Sequence, residues 1–390
     1  MKTKMTPYQF QKLLKPFSLA ITVLIFSSLC ALAQNNKTPE LQLSNVKKIA
    51  RLTGTLLKGE QLPSPNNTAK DYDVGGTDLG IFWQMEGSKV GIFFGDTHGR
   101  EFIAEKDGKG GGNGANWRSN VLAFSSDNNL EDGITIDSMV LDENGSAREI
   151  IAGGKTNPKK YNTSIPTAAI RVGKTDYVHY MNIYDWAGKN GRWLTNLSSL
   201  YTSTDDGTTW TRKVAVTFNG NSKFSQICYA KKDGFVYMIG SLAGRGGPGY
   251  LARIKEKEML NLDQYEYWNG DSKKWFKADE GKATVIIPGP IGEASLLYHQ
   301  KFKRWIIAYS YDSAYDPMAK SKFHAMVYRD AKSINGTWSN LKILADVNQF
   351  KGLYCPYIYP LKNNTDHLYF TMSQWEPYNV YLMKADISMK

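Results

Sequence analysis

The sequence predicts an all-β chain folded as a five-bladed β-propeller with an Asp-box turn, and three observations carry that prediction. The first is a recurring hairpin in which a strand of small and apolar residues leads through a charged turn to an aromatic-rich strand. It restarts near Asp78, Ile165, Phe224, Ile291 and Leu353, at intervals of 87, 59, 67 and 62 residues. Renewal at that period suits four-stranded blades set round a channel; two β-sandwich domains would not renew one hairpin so regularly. The second is composition: aromatic residues make up 13% of the chain, and Gly and Asn break it about every ten residues, a spacing typical of strands. The third is Ser203-Thr204-Asp205-Asp206-Gly207-Thr208-Thr209-Trp210, which matches the Asp-box pattern S-x-D-x-G-x-T-W. That box is a hairpin turn on the outside of a blade, its Ser and Asp satisfying backbone groups while its Trp packs beneath.

Taken in order, residues 1–33 read as a signal peptide. Lys2, Lys4, Lys12 and Lys15 form a basic start, Phe17–Leu29 is apolar, and Ala31-Leu32-Ala33 is a small-x-small cleavage signal. Export to the periplasm or the medium is therefore expected. Cys30 follows Leu29, where a lipobox has a small residue, so simple secretion is favoured over a lipid anchor. Residues 34–44 are expected to be flexible, and residues 45–388 to form the propeller. Within it, Thr167–Arg171, Tyr177–Ile183, Gln226–Ala230, Phe235–Gly240, Ala294–Tyr298, Trp305–Ser310, Cys355–Tyr359 and His367–Met372 read as strands, and only Ile254–Leu262 shows a helical period.

Composition excludes several function classes. After the leader, 44 basic and 37 acidic residues remain, a net of +7 without any basic stripe, so no nucleic-acid partner is expected. Asn157-Pro158-Lys159-Lys160 reads as a solvated loop. No later apolar run has the roughly 18 residues that a membrane span needs. Cys228 and Cys355 have the option of pairing but do not make a disulfide framework. His179, His299 and His367 sit singly in Tyr-containing strands, and no group has zinc-ligand spacing. No metal or cofactor is expected, and the chain is expected to be a monomer.

The chemistry concentrates in the first hairpin. Asp78 follows Gly75-Gly76-Thr77, and Asp96 ends the run Val90–Gly95, before Thr97-His98-Gly99; Asn116-Trp117-Arg118-Ser119-Asn120 comes soon after. Asp after Gly commonly does no more than cap a turn. Two carboxyls on adjacent strands beside Arg and Trp instead resemble glycosidase equipment, one protonating the leaving oxygen and the other acting on the opposite face of the sugar. Asp78, on an apolar strand, is the expected acid, and Asp96, in a polar turn, the expected base. Thr77, Trp117 and Asn120 flank the pair as candidate substrate contacts. Arg118 is a candidate to hold the ionised partner or a sugar hydroxyl, or else a salt bridge locking its loop. His98 is a candidate to tune Asp96 or bind sugar. Glu293 is a candidate third inner carboxylate, Arg245 a residue on a loop over the cleft, and Tyr311, Tyr354 and Trp375 candidate stacking platforms.

At Gly75–Gly80, Phe94-Gly95-Asp96-Thr97 and Trp117–Ala123 the chain resembles the family described as domain of unknown function 4185, part of which is recognised as endo-D-arabinanases, glycoside hydrolase family 183. The likeness extends over roughly residues 45–388, and Gly292–Tyr298 with Trp305 and Tyr309 resembles the family's later blades. The resemblance implies a five-bladed propeller that cleaves α-linked D-arabinofuranose polymers internally, such as those of mycobacterial arabinogalactan and lipoarabinomannan. Carried over by motif, the catalytic acids are Asp78 and Asp96. A sialidase is not expected, because no F/Y-R-I-P segment precedes the Asp-box. Two other readings stay open: a non-catalytic glycan-binding propeller, and a hydrolase of another furanoside polymer such as L-arabinan or galactofuranan.

Overall fold

The computed structural model describes residues 39–104, 111–153 and 162–390. The expected signal peptide and the Asn157–Lys160 loop lie outside the described residues. Five antiparallel sheets form the blades. Blade I runs outward through Gly76–Gln84, Val90–His98, Val121–Ser125 and Ser138–Met139. Blade II comprises Thr163–Val172, Thr175–Asp185, Leu194–Ser203 and Thr211–Asn219. Blade III begins with Gln226–Lys232, Phe235–Ser241 and Gly247–Lys255, and extends through the hairpin Glu266–Asn269/Lys274–Lys277 and the strand Val285–Ile291. Blade IV is Ala294–His299, Arg304–Asp312, His324–Ala331 and Lys342–Asp346. Blade V is Leu353–Ile358, His367–Gln374 and Asn379–Met389, with Leu41–Arg51 added as its outermost strand. Each inner strand contacts the inner strands of both neighbouring blades, in the cyclic order I–II–III–IV–V–I.

The expected hairpin starts thus coincide with blade starts, with local corrections. Ile291 belongs to a strand that pairs back onto blade III, so the fourth hairpin opens at Ala294. Ile254 lies in a strand opposite Val236 rather than in a helix, and the helical period there comes from two isolated 3₁₀ turns, Glu256–Glu258 and Leu262–Gln264. Residues 41–44 are not loose: Leu41, Gln42, Leu43 and Ser44 pair with Met389, Ser388, Ile387 and Asp386. The propeller therefore starts at Leu41. Its first strand has no clean alternation because a bulge between Ser44 and Lys47 shifts the side-chain phase.

Apolar cores fill the spaces between blades. One joins blade I to blades II and V, and the others lie between II and III, III and IV, and IV and V. Between blades I and II, the Trp83 ring stacks on Phe93, and Trp210 meets both edge-on at 6.1 and 5.3 Å. Such edge contacts add about 0.5–1.5 kcal/mol each to simple burial. The Trp83 indole N–H donates to Asp176 across the same seam, and Arg171 pairs with that carboxylate. Trp210 is the Asp-box tryptophan. Its turn joins the third and fourth strands of blade II; the Gly207 amide donates to Ser203 Oγ and the Thr209 amide to Asp205 Oδ1. Gly207 has φ +85°, the left-handed backbone that the box reserves for glycine.

Two bulges re-aim the start of blade I. Thr77 pairs with Thr97 and Leu79 with Phe94, so Asp78 faces two residues, Gly95 and Asp96. Leu79 and Gly80 then both take positive φ, +70° and +80°. A left-handed leucine costs on the order of 1 kcal/mol, offset here by blade V: Ser373 Oγ accepts from the Leu79 amide, and Thr371 donates to the Gly80 carbonyl. Gly95 has to be glycine, since a Cβ there would fall 2.3 Å from the Asp78 carboxylate.

The ring closes through non-contiguous chain, because the amino-terminal strand completes the carboxy-terminal blade. A chain beginning at Thr53 leaves Asn379–Met389 as a bare edge. It should lose cooperative thermal unfolding and scatter light on heating, whereas a chain beginning at Glu40 should melt as the longer protein does.

Candidate functional site

Antiparallel pairing puts the start of each first strand and the end of each second strand on the same rim of the ring. A cavity of about 510 Å³ lies there, lined from all five blades. Blade I contributes Asp78 and Asp96, blade II Pro166, Trp186 and Trp193, blade III Gln226 and Arg245, blade IV Glu293, and blade V Tyr354, Trp375 and Tyr378.

Asp78 is held at one oxygen only. Tyr354 donates its hydroxyl to Oδ2 at 2.8 Å, and Tyr378 adds a further hydrogen bond to the carboxyl. Oδ1 is buried and has no partner among the described residues. Burial above all, then the nearby Asp96 and Glu293 charges, push the Asp78 pKa up to about 8 against the tyrosine hydrogen bonds. Asp96 accepts from Thr163 Oγ1 at 2.7 Å and from the Trp117 side chain. Burial raises its pKa to about 7, with a contribution from Glu149, despite those two donors. Both carboxyls thus stay protonated well above the ordinary carboxylate range.

Glu293 behaves differently. Burial opposes its ionisation, but a two-pronged ion pair with Arg245, with Nη2–Oε1 at 2.7 Å and Nε near both oxygens, keeps its pKa below the usual value. Arg245 is aligned in turn by the rings of Tyr354 and Trp193, 5.3 and 5.7 Å from its guanidinium carbon. Blades III and IV therefore bring a fixed, charge-compensated pair to the cavity.

The sequence candidates separate into two groups. Glu293, Arg245, Tyr354 and Trp375 line the cavity with the two aspartates. Trp117 acts through its hydrogen bond to Asp96. The remainder lie behind the site. Arg118 does not reach the aspartates: its guanidinium donates to the Ala147 and Asp73 carbonyls and lies 3.7 Å from the Asp73 carboxylate. Asp73, in a left-handed turn, also receives the Arg100 amide and the Asn116 side chain. Arg118 is the salt bridge that locks its loop and so places Trp117. Asn120 is consumed by backbone groups, donating to Ile151 and Ser164 and accepting from Ile150 and Ile151. Thr77 is fully buried against Thr97 Oγ1. His98 packs between Phe102 and Tyr378, and burial lowers its pKa so that it stays neutral. Tyr311 is buried on Phe323 and donates to Asp316. The two cysteines are buried and unpaired, with Cys355 at φ +53° in a blade V bulge.

Sequence reasoning missed Thr163, Trp186, Trp193, Gln226 and Tyr378. Each lies near the start of a first strand or in the loop between second and third strands. That positional rule would have found them had the blade boundaries been known to the residue.

Notoamide biosynthesis cluster protein J of Aspergillus sp. (strain MF297-2) is 27% identical over 329 residues, 79% of this chain and 82% of that protein. A crystal structure from Bacteroides ovatus superposes with TM-score 0.54 at 12% identity, over 81% of this chain and 87% of the other, and shares the fold. The catalytic domain of a GH62 α-L-arabinofuranosidase from Coprinopsis cinerea gives TM-score 0.47 at 10% identity, over 90% of this chain and 98% of that one. The pattern of one family matches residues 63–384, which includes the rim residues of every blade. The chain belongs to the family described as "Domain of unknown function (DUF4185)".

Proposed function

We propose that this protein is a secreted glycoside hydrolase that cleaves α-D-arabinofuranosyl linkages within D-arabinan, with Asp78 as acid and Asp96 as base. The observation that carries the reading is the pair of desolvated carboxyls on one hairpin at the head of a five-blade cavity. Hydrolysis of a furanoside needs one carboxyl protonated and one ionised near the same anomeric carbon. Tyr354 engages Asp78 Oδ2, which leaves Oδ1 to carry the proton towards the glycosidic oxygen. Asp96, whose ionised form is favoured by the Thr163 and Trp117 donors, is the carboxyl assigned to ionise and take a proton from water. As the glycosidic C–O bond breaks, positive charge grows on the sugar, and the Asp96 and Glu293 carboxylates stabilise it.

Cleavage within a chain, rather than at its end, is supported by the aromatic rim. Trp375, in the second-to-third-strand loop of blade V, and Trp186, in the corresponding loop of blade II, are each 42% exposed. Those blades flank blade I on its two sides, so sugar-stacking surfaces stand on both sides of the acids. The leader-like residues 1–33 support export. Incubation with mycobacterial arabinogalactan should release short D-arabinose oligomers early in the reaction. Activity on L-arabinan or galactofuranan alone would reassign the substrate, and binding without cleavage would make the protein a glycan-binding propeller.

Asp78→Asn and Asp96→Asn should each lower kcat by about 10³-fold or more, as loss of an acid or base does; wild-type turnover by either variant rejects the assignment. The pH profile of kcat/KM should be bell-shaped, rising as Asp96 ionises near 7 and falling as Asp78 deprotonates near 8. An optimum below pH 5 would contradict it. Stability gives an independent check. A carboxyl whose pKa is raised by folding favours the native state fully below about pH 4, and that contribution is lost as pH rises through the folded value. Asp78→Asn should therefore melt several degrees above wild type at pH 8.5 and close to wild type at pH 4, as followed by scanning calorimetry.

A further inference from the structure

Gln226 opens the inner strand of blade III, across the channel from blade I. Its side chain is 96% buried, with 4% of its surface accessible, and it lines the same cavity as Asp78. One end of its amide is engaged: Oε1 accepts the Gly244 amide at 3.0 Å. This bond sets the amide's orientation, since only the oxygen accepts, and it pins the turn that carries Arg245. The same turn is held from the other side, where the Arg245 amide donates to the Gly191 carbonyl. The other end, Nε2, is a buried donor with no partner among the described residues.

Leaving such a donor desolvated and unpaired is unfavourable. Two residues that line the cavity, one on blade I and one on blade III, thus carry a buried polar atom without a partner among the described residues: Asp78 Oδ1 and Gln226 Nε2. Their needs differ. The first can supply a proton, and the second requires an acceptor. A sugar ring meets both at once, because its glycosidic oxygen takes a proton and its ring hydroxyls accept hydrogen bonds. Water in that position would satisfy Gln226, but the ring hydroxyl displaces it with the geometry retained.

We infer that Gln226 is a specificity-determining residue, its Nε2 donating to a ring hydroxyl of the furanosyl unit whose glycosidic oxygen faces Asp78. The inference rests on the glycosidase reading of the site and adds to it the contact that selects a hydroxylated ring. Sites built to bind a hydroxyl reject analogues lacking it far more strongly than apolar pockets reject additions.

The test uses the full-length protein and a sulfur-linked α-D-arabinofuranosyl tetrasaccharide, which binds without being cleaved, in calorimetric titration. Gln226→Glu keeps an oxygen for the Gly244 amide and, titrated at a pH where its carboxyl is ionised, removes the donor; Gln226→Met removes both at any pH, and thermal melts of the two variants report any loss of fold. Gln226→Glu should bind about tenfold more weakly than wild type, the scale of one hydrogen bond. The gap should vanish with either the 2-deoxy or the 3-deoxy form of the probe, whichever lacks the hydroxyl concerned. Equal affinity of Gln226→Glu and wild type, a gap that persists with both deoxy probes, or no binding of the probe by wild type would overturn the inference. Hydrolysis of D-arabinan by wild type is measured separately. Binding that depends on Gln226 without hydrolysis refutes the hydrolase reading alone, and hydrolysis at equal rates by Gln226→Glu refutes the role of Gln226 alone.

Discussion

Antiparallel pairing within each blade is the constraint on which the rest of the structure depends. Because a first strand and its partner run in opposite directions, the residue that opens one lies beside the residue that ends the other. Five repetitions bring ten chain segments to one rim, although they are scattered from Thr77 to Tyr378. The ring that holds them is closed by Leu41–Arg51 against Asn379–Met389, so the geometry of the rim is tied to pairing between the two ends of the fold.

Within that rim, blade I departs from regular pairing beside Asp78 and Asp96. The two bulges, the left-handed Leu79 and the glycine at position 95 together leave room for the Asp78 carboxyl beside Asp96. Local strain of this kind persists when neighbours over-determine it, and blade V does so through Ser373 and Thr371. Burial desolvates the carboxyls, which raises both pKa values. The carboxyls lower the stability of the fold at neutral pH while acquiring the protonation states that acid–base chemistry requires.

Charge is handled differently on blades III and IV. Glu293 is also buried, yet Arg245 keeps it ionised, because an opposite charge at hydrogen-bond distance outweighs desolvation there. Asp78 has only neutral tyrosine hydroxyls, which do not outweigh it. Three acids in one cavity thus divide into two proton holders and one fixed anion. Behind them, Arg118, Asp73 and Asn120 do no more than hold loops. Arg118 stands next to Trp117 in the chain, but its backbone pairs with Thr97 and its side chain turns away to the Asp73 loop.

The sequence by itself determined the fold class, the number of blades and the Asp-box, and it singled out Asp78 and Asp96 as neighbours on one hairpin, because these are written in local patterns: alternation, turn residues and a repeated hairpin. Leu41–Ser44 escaped it, since a bulged edge strand lacks a clean period, and so did the strand around Ile254, whose pattern merged with two short turns. Which polar residues face the cavity was decided by tertiary structure alone. Thr77 adjoins Asp78 but faces Thr97, and Arg118 and Asn120, in the next motif after Asp96, turn to loop backbone, whereas Gln226, Tyr354 and Tyr378 come from blades more than a hundred residues away. Sequence neighbours on a strand point to alternate faces, and a bulge reverses that alternation. Ring closure then selects the contributions of distant chain, and these decide which carboxyl keeps its proton.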